Sequence, residues 1–66
     1  MEIYKVVYTP NRKPRKRDTK DYFYSYGKNY QEAHDMAKTI IEENLGLKFK
    51  DKHLKMFLAD PKDIVN

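Results

Sequence analysis

Alternating polar and apolar residues near the N-terminus predict two β-strands. Residues 2–9 (EIYKVVYT) are rich in β-branched and aromatic side chains and stop at Pro10, as a strand does before a turn. Residues 21–27 (DYFYSYG) place three tyrosines on one side of an extended chain and Phe23 and Ser25 on the other. We expect the two strands to pair as antiparallel neighbours, joined by a flexible loop over residues 10–20 that projects from the sheet.

A helix is predicted to follow the second strand. Asn29 and Glu32 form a variant of the capping box, in which each side chain pairs with a backbone amide that the first turn leaves free. Gly46 suits the left-handed conformation that ends many helices. Apolar residues recur every three or four positions between these signals, at Ala33, Met36, Ala37, Ile40, Ile41 and Leu45. This narrow stripe is sufficient to cover one face of a small sheet and leaves the other face uncovered.

The C-terminal part has a less decisive pattern. Leu54, Met56 and Leu58 alternate as in a strand, but Leu54, Phe57 and Leu58 also suit one turn of helix. We favour a third strand over residues 55–59, because a sheet of only two strands under one helix is marginally stable. Residues 60–63 (DPKD) are typical of a helix start, so a short last turn or a frayed tail is expected over residues 61–66.

These elements predict one small α+β domain over residues 1–66. We expect an antiparallel sheet of two or three strands packed on one helix, in the order β-β-α-β, with a long basic hairpin loop. Charged residues make up 36% of the chain and the mean hydropathy is −1.00, values that occur in disordered proteins. The regular spacing of the apolar residues nevertheless favours a folded domain.

Positive charge is concentrated in the predicted loop. Of the 14 lysines and arginines, six lie between residues 12 and 20 together with a single acid, Asp18. The rest of the chain is nearly neutral, so the loop accounts for the whole excess charge. Arginine occurs only in this loop, and its planar guanidinium suits phosphate better than the ammonium of lysine does. The candidate phosphate-binding residues are Arg12, Lys13, Arg15, Lys16, Arg17 and Lys20.

Composition argues against several other classes of protein. The chain has no cysteine, hence no disulfide framework or thiolate metal site, and we expect a cytoplasmic location. No apolar run approaches the roughly 20 residues that span a bilayer, so no membrane association is expected. His34 and His53 show no metal-ligand spacing and are predicted to be surface residues. No nucleophile or phosphate-binding glycine loop is evident, so we expect neither an enzyme nor a cofactor.

The tyrosines are the second functional signal. Tyr22, Tyr24 and Tyr26 share one side of the second strand, and Tyr4 and Tyr8 share one side of the first. Pairing of the strands would then create a tyrosine-lined face. If that face is the core, the hydroxyls lie at its rim. If it is exposed, the rings provide platforms for stacked bases, a protein-binding patch, or a sheet that enters the major groove of a duplex.

The order of elements resembles the small arm-binding modules at the N-termini of phage-type integrases. The likeness covers residues 1 to about 44, namely a hairpin with a basic loop and a helix that opens with Tyr30, Glu32 and Ala33. It carries no diagnostic motif, and the extra strand that usually precedes the helix in that family is not evident. The resemblance implies DNA rather than RNA as the target. The abundance of Lys, Asn, Ile and Tyr is typical of an AT-rich genome and agrees with a phage or mobile element.

The leading hypothesis is therefore a small, non-enzymatic nucleic-acid-binding protein. The loop would contact phosphates, and Tyr22, Tyr24 or Tyr26 would contact bases or a groove. The alternative is a protein-interaction module, for example a phage-encoded modulator of a host protein, that docks through its aromatic sheet face or an open strand edge. Its partner would then present an acidic or an aromatic-binding protein surface. An open sheet edge also favours homodimerisation, and a third interpretation is a folded fragment whose partner completes its core.

Overall fold

The computed structural model describes residues 1–59, apart from the side chain of Thr19. Three strands, β1 (Glu2–Tyr8), β2 (Phe23–Gly27) and β3 (Leu54–Leu58), form one antiparallel sheet in the order β2-β1-β3. Helix α1 (Tyr30–Thr39) lies between β2 and β3 in the chain. The predicted α+β fold with the order β-β-α-β is confirmed. The predicted last turn or frayed tail lies outside the described residues.

Helix α1 covers one face of the sheet because its inner positions are small. Ala33 and Ala37 are fully buried, and they pack with Ile41 over the sheet side that carries Val6. Small residues of β2 let the helix approach closely, since Ser25 and Gly27 are also buried. The core is correspondingly thin, as expected for a chain of 66 residues.

Both predicted helix-end signals are present, each with a change in detail. The Asn29 side chain accepts a hydrogen bond from the Glu32 backbone amide at 3.0 Å. Glu32 accepts one from the amide of Lys28, also at 3.0 Å, rather than from Asn29. The helix continues as a π-helical turn over Ile40–Asn44, and Gly46 then adopts a positive φ of 66°. The wider turn leaves Leu45, a predicted core position, 52% exposed.

The register separates the tyrosines of β1 from those of β2. Tyr4 pairs with Ser25, while the β2 tyrosines pair with Lys5 and Ile3. Directly paired residues share a face, so Tyr4 and Tyr8 lie on the helix side and the β2 tyrosines lie on the opposite side. The single tyrosine-lined face considered above is wrong, because one strand would have to slip by one residue to create it.

The segment after the helix is held against β1 by aromatic contacts. The Tyr8 hydroxyl donates to the carbonyl of Lys48 at 2.9 Å and accepts from the amide of Lys50 at 2.7 Å. The Tyr8 ring stacks on Phe49, with centroids 5.8 Å apart. Phe49 also meets the ring of His34 edge-on at 5.7 Å.

The expected surface position of the two histidines is wrong. The His34 side chain is only 19% exposed, and its Nε2 lies 2.8 Å from a carboxylate oxygen of Asp51. His53 is half-buried, and its Nδ1 lies 3.0 Å from the carbonyl of Pro10. Both histidines therefore help to fix the loops around the core. Within residues 1–59, no helix has the length and apolar character needed to cross a bilayer.

Candidate functional site

The sheet face opposite the helix carries alternating aromatic and cationic side chains. We call it the open sheet face; it comprises Ile3, Lys5 and Val7 of β1, Tyr24 and Tyr26 of β2, and Lys55 and Phe57 of β3. Lys5 pairs with Tyr24 on one side and with Phe57 on the other. A ring, an ammonium group and a second ring thus lie side by side across the three strands. Adjacent strands are about 4.8 Å apart, so the row is about 10 Å wide.

The rings at the β2 side of this face are accessible and well supported. Tyr26 is 50% exposed, and Tyr22, which directly precedes β2, is 44% exposed. The Lys5 ammonium lies 4.1 Å from the centre of the Tyr22 ring, a cation–π contact. Tyr22 meets Tyr24 edge-on, with centroids 5.5 Å apart. These contacts position the Tyr22 ring, and both Tyr22 and Tyr26 remain partly open to solvent.

The basic loop lies along the opposite side of the open sheet face. Pro14, Arg15 and Lys16 face Val7 and Phe57 across a cavity of about 280 Å³. Val7 is on the face that the helix does not cover, yet it is only 1% exposed, because the loop lies over it. The loop therefore folds back towards β3 instead of projecting from the hairpin. Its flexibility stays a prediction.

An internal ion pair shapes the loop. Both terminal nitrogens of Arg12 donate to the Asp18 carboxylate, at 2.5 and 2.9 Å, and the Arg15 amide donates to the same group at 2.6 Å. These bonds close a 3₁₀ turn over Lys16–Lys20. They also hold the pKa of Asp18 well below its usual range, chiefly through the hydrogen bond from Arg12. We call this arrangement the Arg12–Asp18 clamp.

The clamp divides the predicted phosphate-binding residues into two groups. Arg12 is neutralised by Asp18, and the bond raises the pKa of its guanidinium. The other five side chains make no hydrogen bond or ion pair with any part of the chain that the structure describes; they are Lys13, Arg15, Lys16, Arg17 and Lys20. These five residues are therefore the part of the loop's charge that is available to a ligand.

The structure brings only some of the predicted site residues to the open sheet face. Arg15 and Lys16 stand beside Phe57 at the β3 side, whereas Lys20 and Tyr22 line a second cavity of about 370 Å³. That cavity also contains Leu45 and Phe23. Tyr8 and Phe23 of this cavity are on the helix side, so Lys20 lies by the helix side of the sheet and not on the open sheet face.

Sequence reasoning missed Lys5, Lys55 and Phe57 as members of this site. Their signal was present in the alternation of each strand, since Lys5 shares a side with Val7, and Lys55 with Phe57. The alternation does not say which side a helix covers, and this depends on the register between strands. Within residues 1–59, no three His, Asp or Glu side chains converge in a way that would hold a metal ion.

No protein-family model, curated protein or solved structure matches this chain. The site must therefore be interpreted from its own geometry and charge.

Proposed function

We propose that this protein is a non-enzymatic nucleic-acid-binding protein that holds a single strand, with DNA as the expected target, on its open sheet face. The observation that supports this best is the row formed by Tyr24, Lys5 and Phe57 across the three strands. Phe57 is 39% exposed and Tyr24 is half-buried, and rings interleaved with cations suit a strand whose bases stack while its phosphates approach the ammonium groups.

The energetic basis is stacking combined with phosphate neutralisation. A base stacked on an aromatic side chain contributes about 1–3 kcal/mol, largely independent of base identity. Each neutralised phosphate releases a counterion, which makes affinity fall as salt rises. Arg15, Lys16 and Arg17 are exposed and unpaired within residues 1–59, so they are available for this role.

A single strand fits the open sheet face better than a duplex does. Tyr26 and Phe57 on this face are 50% and 39% exposed, and the adjoining Tyr22 is 44% exposed. The bases of a duplex are already stacked on one another, so such rings gain little from them, whereas the unstacked bases of a single strand can lie on the rings directly. A duplex would be held mainly by its phosphates.

Salt-dependent binding tests the electrostatic half of the proposal. Replacing Arg15, Lys16 and Arg17 by alanine should weaken binding of a fluorescent single-stranded oligonucleotide and reduce the log–log salt slope by about 2, since each single-strand phosphate contributes roughly 0.7. The control removes three exposed lysines outside the loop and the open sheet face, Lys28, Lys38 and Lys48, with the same change in net charge. Equal effects of the two triple variants would show that only overall charge matters.

The same assay tests stacking with a pair of tyrosines. Tyr26 and Tyr30 are each 50% exposed, but Tyr26 is on the open sheet face and Tyr30 packs against Tyr4 on the helix side. Tyr26→Leu should lower affinity by about tenfold, the loss of one stacked base, while Tyr30→Leu should leave it unchanged. Unchanged affinity for Tyr26→Leu, with both variants folded by circular dichroism, would rule out stacking at this position.

A protein-interaction module is the second candidate, favoured by the outer edge of β3. This edge strand exposes 67% of Leu58 and 39% of Phe57, in the way that a strand-addition surface does. In that case Leu58→Lys should abolish binding of the partner protein and leave oligonucleotide binding intact. Homodimerisation through the same edge would appear as a mass that depends on concentration in sedimentation.

A further inference from the structure

The cavity under the basic loop differs from the rest of the open sheet face. Its floor is apolar, formed by Val7 and Phe57, and Pro14 stands on the loop side. Arg15, Lys16 and Lys55 complete the lining with three cationic side chains. The volume of about 280 Å³ is just below the range of about 300–1,000 Å³ for small-molecule sites, so it accommodates one compact group rather than a length of chain.

The chemistry of this lining specifies a flat ring joined to an anion. Phe57 supplies a ring against which another ring can lie, and Val7 closes the site behind it because it is only 1% exposed. Arg15, Lys16 and Lys55 have no ion-pair partner among residues 1–59, so a bound anion would satisfy them. A carboxylate-bearing peptide would satisfy the cations but would not require the apolar floor.

The loop is already held in position to form one wall of the cavity. The Arg12–Asp18 clamp fixes the Arg15 amide to the Asp18 carboxylate at 2.6 Å, which places Arg15 and Lys16 at the start of the 3₁₀ turn. The Pro10 carbonyl contacts His53 at 3.0 Å and ties the beginning of the loop to the residue before β3. A wall that is ordered before binding reduces the entropic cost of binding.

We propose that this cavity holds one nucleotide, with its base against Phe57 and its phosphate at Arg15 and Lys16. If the nucleotide is part of a bound strand, this inference rests on the proposed function. If the nucleotide is free, the inference is independent of the proposed function. In the strand, this nucleotide continues the path of the bases that stack on the tyrosines of β2.

A double-mutant cycle between protein and oligonucleotide tests the proposal. The probe is an oligothymidylate of about six nucleotides, near the smallest site sizes of single-strand binders, with an abasic residue placed at each position in turn. Phe57→Leu should lower affinity by about tenfold, and one abasic position should do the same in the unmodified protein. In Phe57→Leu that abasic position should have no further effect, because both changes remove the same contact.

The adjacent residue supplies the matched control. Leu58 lies on the other side of β3 and is more exposed than Phe57, so Leu58→Ala should leave affinity and the abasic profile unchanged. The abasic position that has no further effect on the affinity of Phe57→Leu should still lower the affinity of Tyr26→Leu. If the effects of Phe57→Leu and of every abasic position are additive, the cavity holds no base, although salt-dependent binding would still support the proposed function.

A titration with free nucleotide distinguishes a site for one nucleotide of a bound strand from a site for a free nucleotide. Titration of thymidine monophosphate should shift the Val7 methyl and Phe57 ring signals in NMR spectra, and the shift of the Val7 methyl should be lost in Phe57→Leu. If these shifts occur while no oligonucleotide binds, the cavity is a site for free nucleotide and the proposed function is wrong. If neither probe shifts Val7 or Phe57, the cavity proposal is overturned.

Discussion

The Tyr8 hydroxyl is the residue-level link between β1 and the segment that leads to β3. It donates to the Lys48 carbonyl at 2.9 Å and accepts from the Lys50 amide at 2.7 Å, so it satisfies two backbone groups outside regular structure. Removing the hydroxyl leaves both groups without this partner while the ring still stacks on Phe49. The hydroxyl therefore stabilises the path of the chain and the ring stabilises the core.

We expect Tyr8→Phe to lower the free energy of unfolding by about 1 kcal/mol, the usual contribution of such a group. For a domain of this size, the change corresponds to a decrease of about 4–8 °C in melting temperature, measurable by circular dichroism. Ser25→Ala is the control, because the buried Ser25 hydroxyl has no hydrogen-bond partner in the described part of the chain. Its removal should leave stability unchanged or raise it. A similar loss in both variants would contradict this account of the two hydroxyls.

At this scale, some residue roles could be predicted from the sequence and others could not. The capping role of Asn29 and the positive φ of Gly46 follow from local chemistry, and both were predictable. The half-buried position of His34 was not, because its contacts come from Phe49 and Asp51, more than a dozen residues away in the chain. Helical periodicity assigns His34 to a polar face, but a later loop covers that face.

At the scale of elements, the close approach of α1 to β2 determines how the sheet is covered. A Cβ atom at Gly27 would lie 2.5 Å from the Glu32 Cβ and 2.8 Å from the Ala33 amide nitrogen. These atoms belong to the first turn of α1 and are fixed by the Asn29 cap, so they have little freedom to move. Glycine at position 27 is therefore required by packing and not by backbone conformation.

Gly27→Ala should lower the free energy of unfolding by about 1–3 kcal/mol, as overpacking in a core does. Amide exchange should accelerate most in the first turn of α1, around Glu32 and Ala33. Gly46→Ala serves as the comparison, since no atom lies within 4 Å of its added Cβ and only its φ of +66° opposes the change. It should cost about 1 kcal/mol through backbone strain and leave exchange in that turn unaltered. Faster exchange at Glu32 and Ala33 in both variants would contradict the steric explanation.

The positions of the elements were largely predictable, whereas their faces were not. Alternation identified all three strands to within two residues, and the helix was found from its cap and its apolar period. The continuation of the helix as a π-helical turn has no comparable local signal. The side that α1 covers depends on the pairing of Tyr4 with Ser25, a contact between residues distant in the chain.

At the scale of the whole molecule, the charge distribution results from the way the loop folds. The sequence located the excess charge in the loop, and this assignment needs no structure. It did not reveal that Asp18 neutralises Arg12 in an ion pair. The two residues are six positions apart, and no regular secondary structure was predicted there that would bring them together. Nor did it place Pro14 over Val7, which puts Arg15 and Lys16 beside the aromatic row.

The Arg12–Asp18 clamp gives this arrangement a pH dependence of known sign. The pKa of Asp18 is lowered in the folded protein, chiefly by the hydrogen bond from Arg12 and then by the Arg15 amide. A carboxyl group with a lowered pKa contributes its stabilisation fully above its unfolded pKa of about 3.9, and loses it as the pH falls through the lower folded value. The clamp should therefore remain closed at pH 4, where an ordinary aspartate is already half protonated.

Carbon-detected NMR of the Asp18 carboxyl group measures this directly. In the unmodified protein its titration midpoint should lie well below the usual range, and in Arg12→Ala it should rise towards about 3.9. Part of the lowering of the Asp18 pKa should remain in that variant, because the hydrogen bond from the Arg15 amide to Asp18 does not involve the Arg12 side chain. A midpoint that is the same in both proteins would show that the clamp does not form in solution. The wall of the cavity beside Val7 and Phe57 would then lack the contact that positions Arg15 and Lys16.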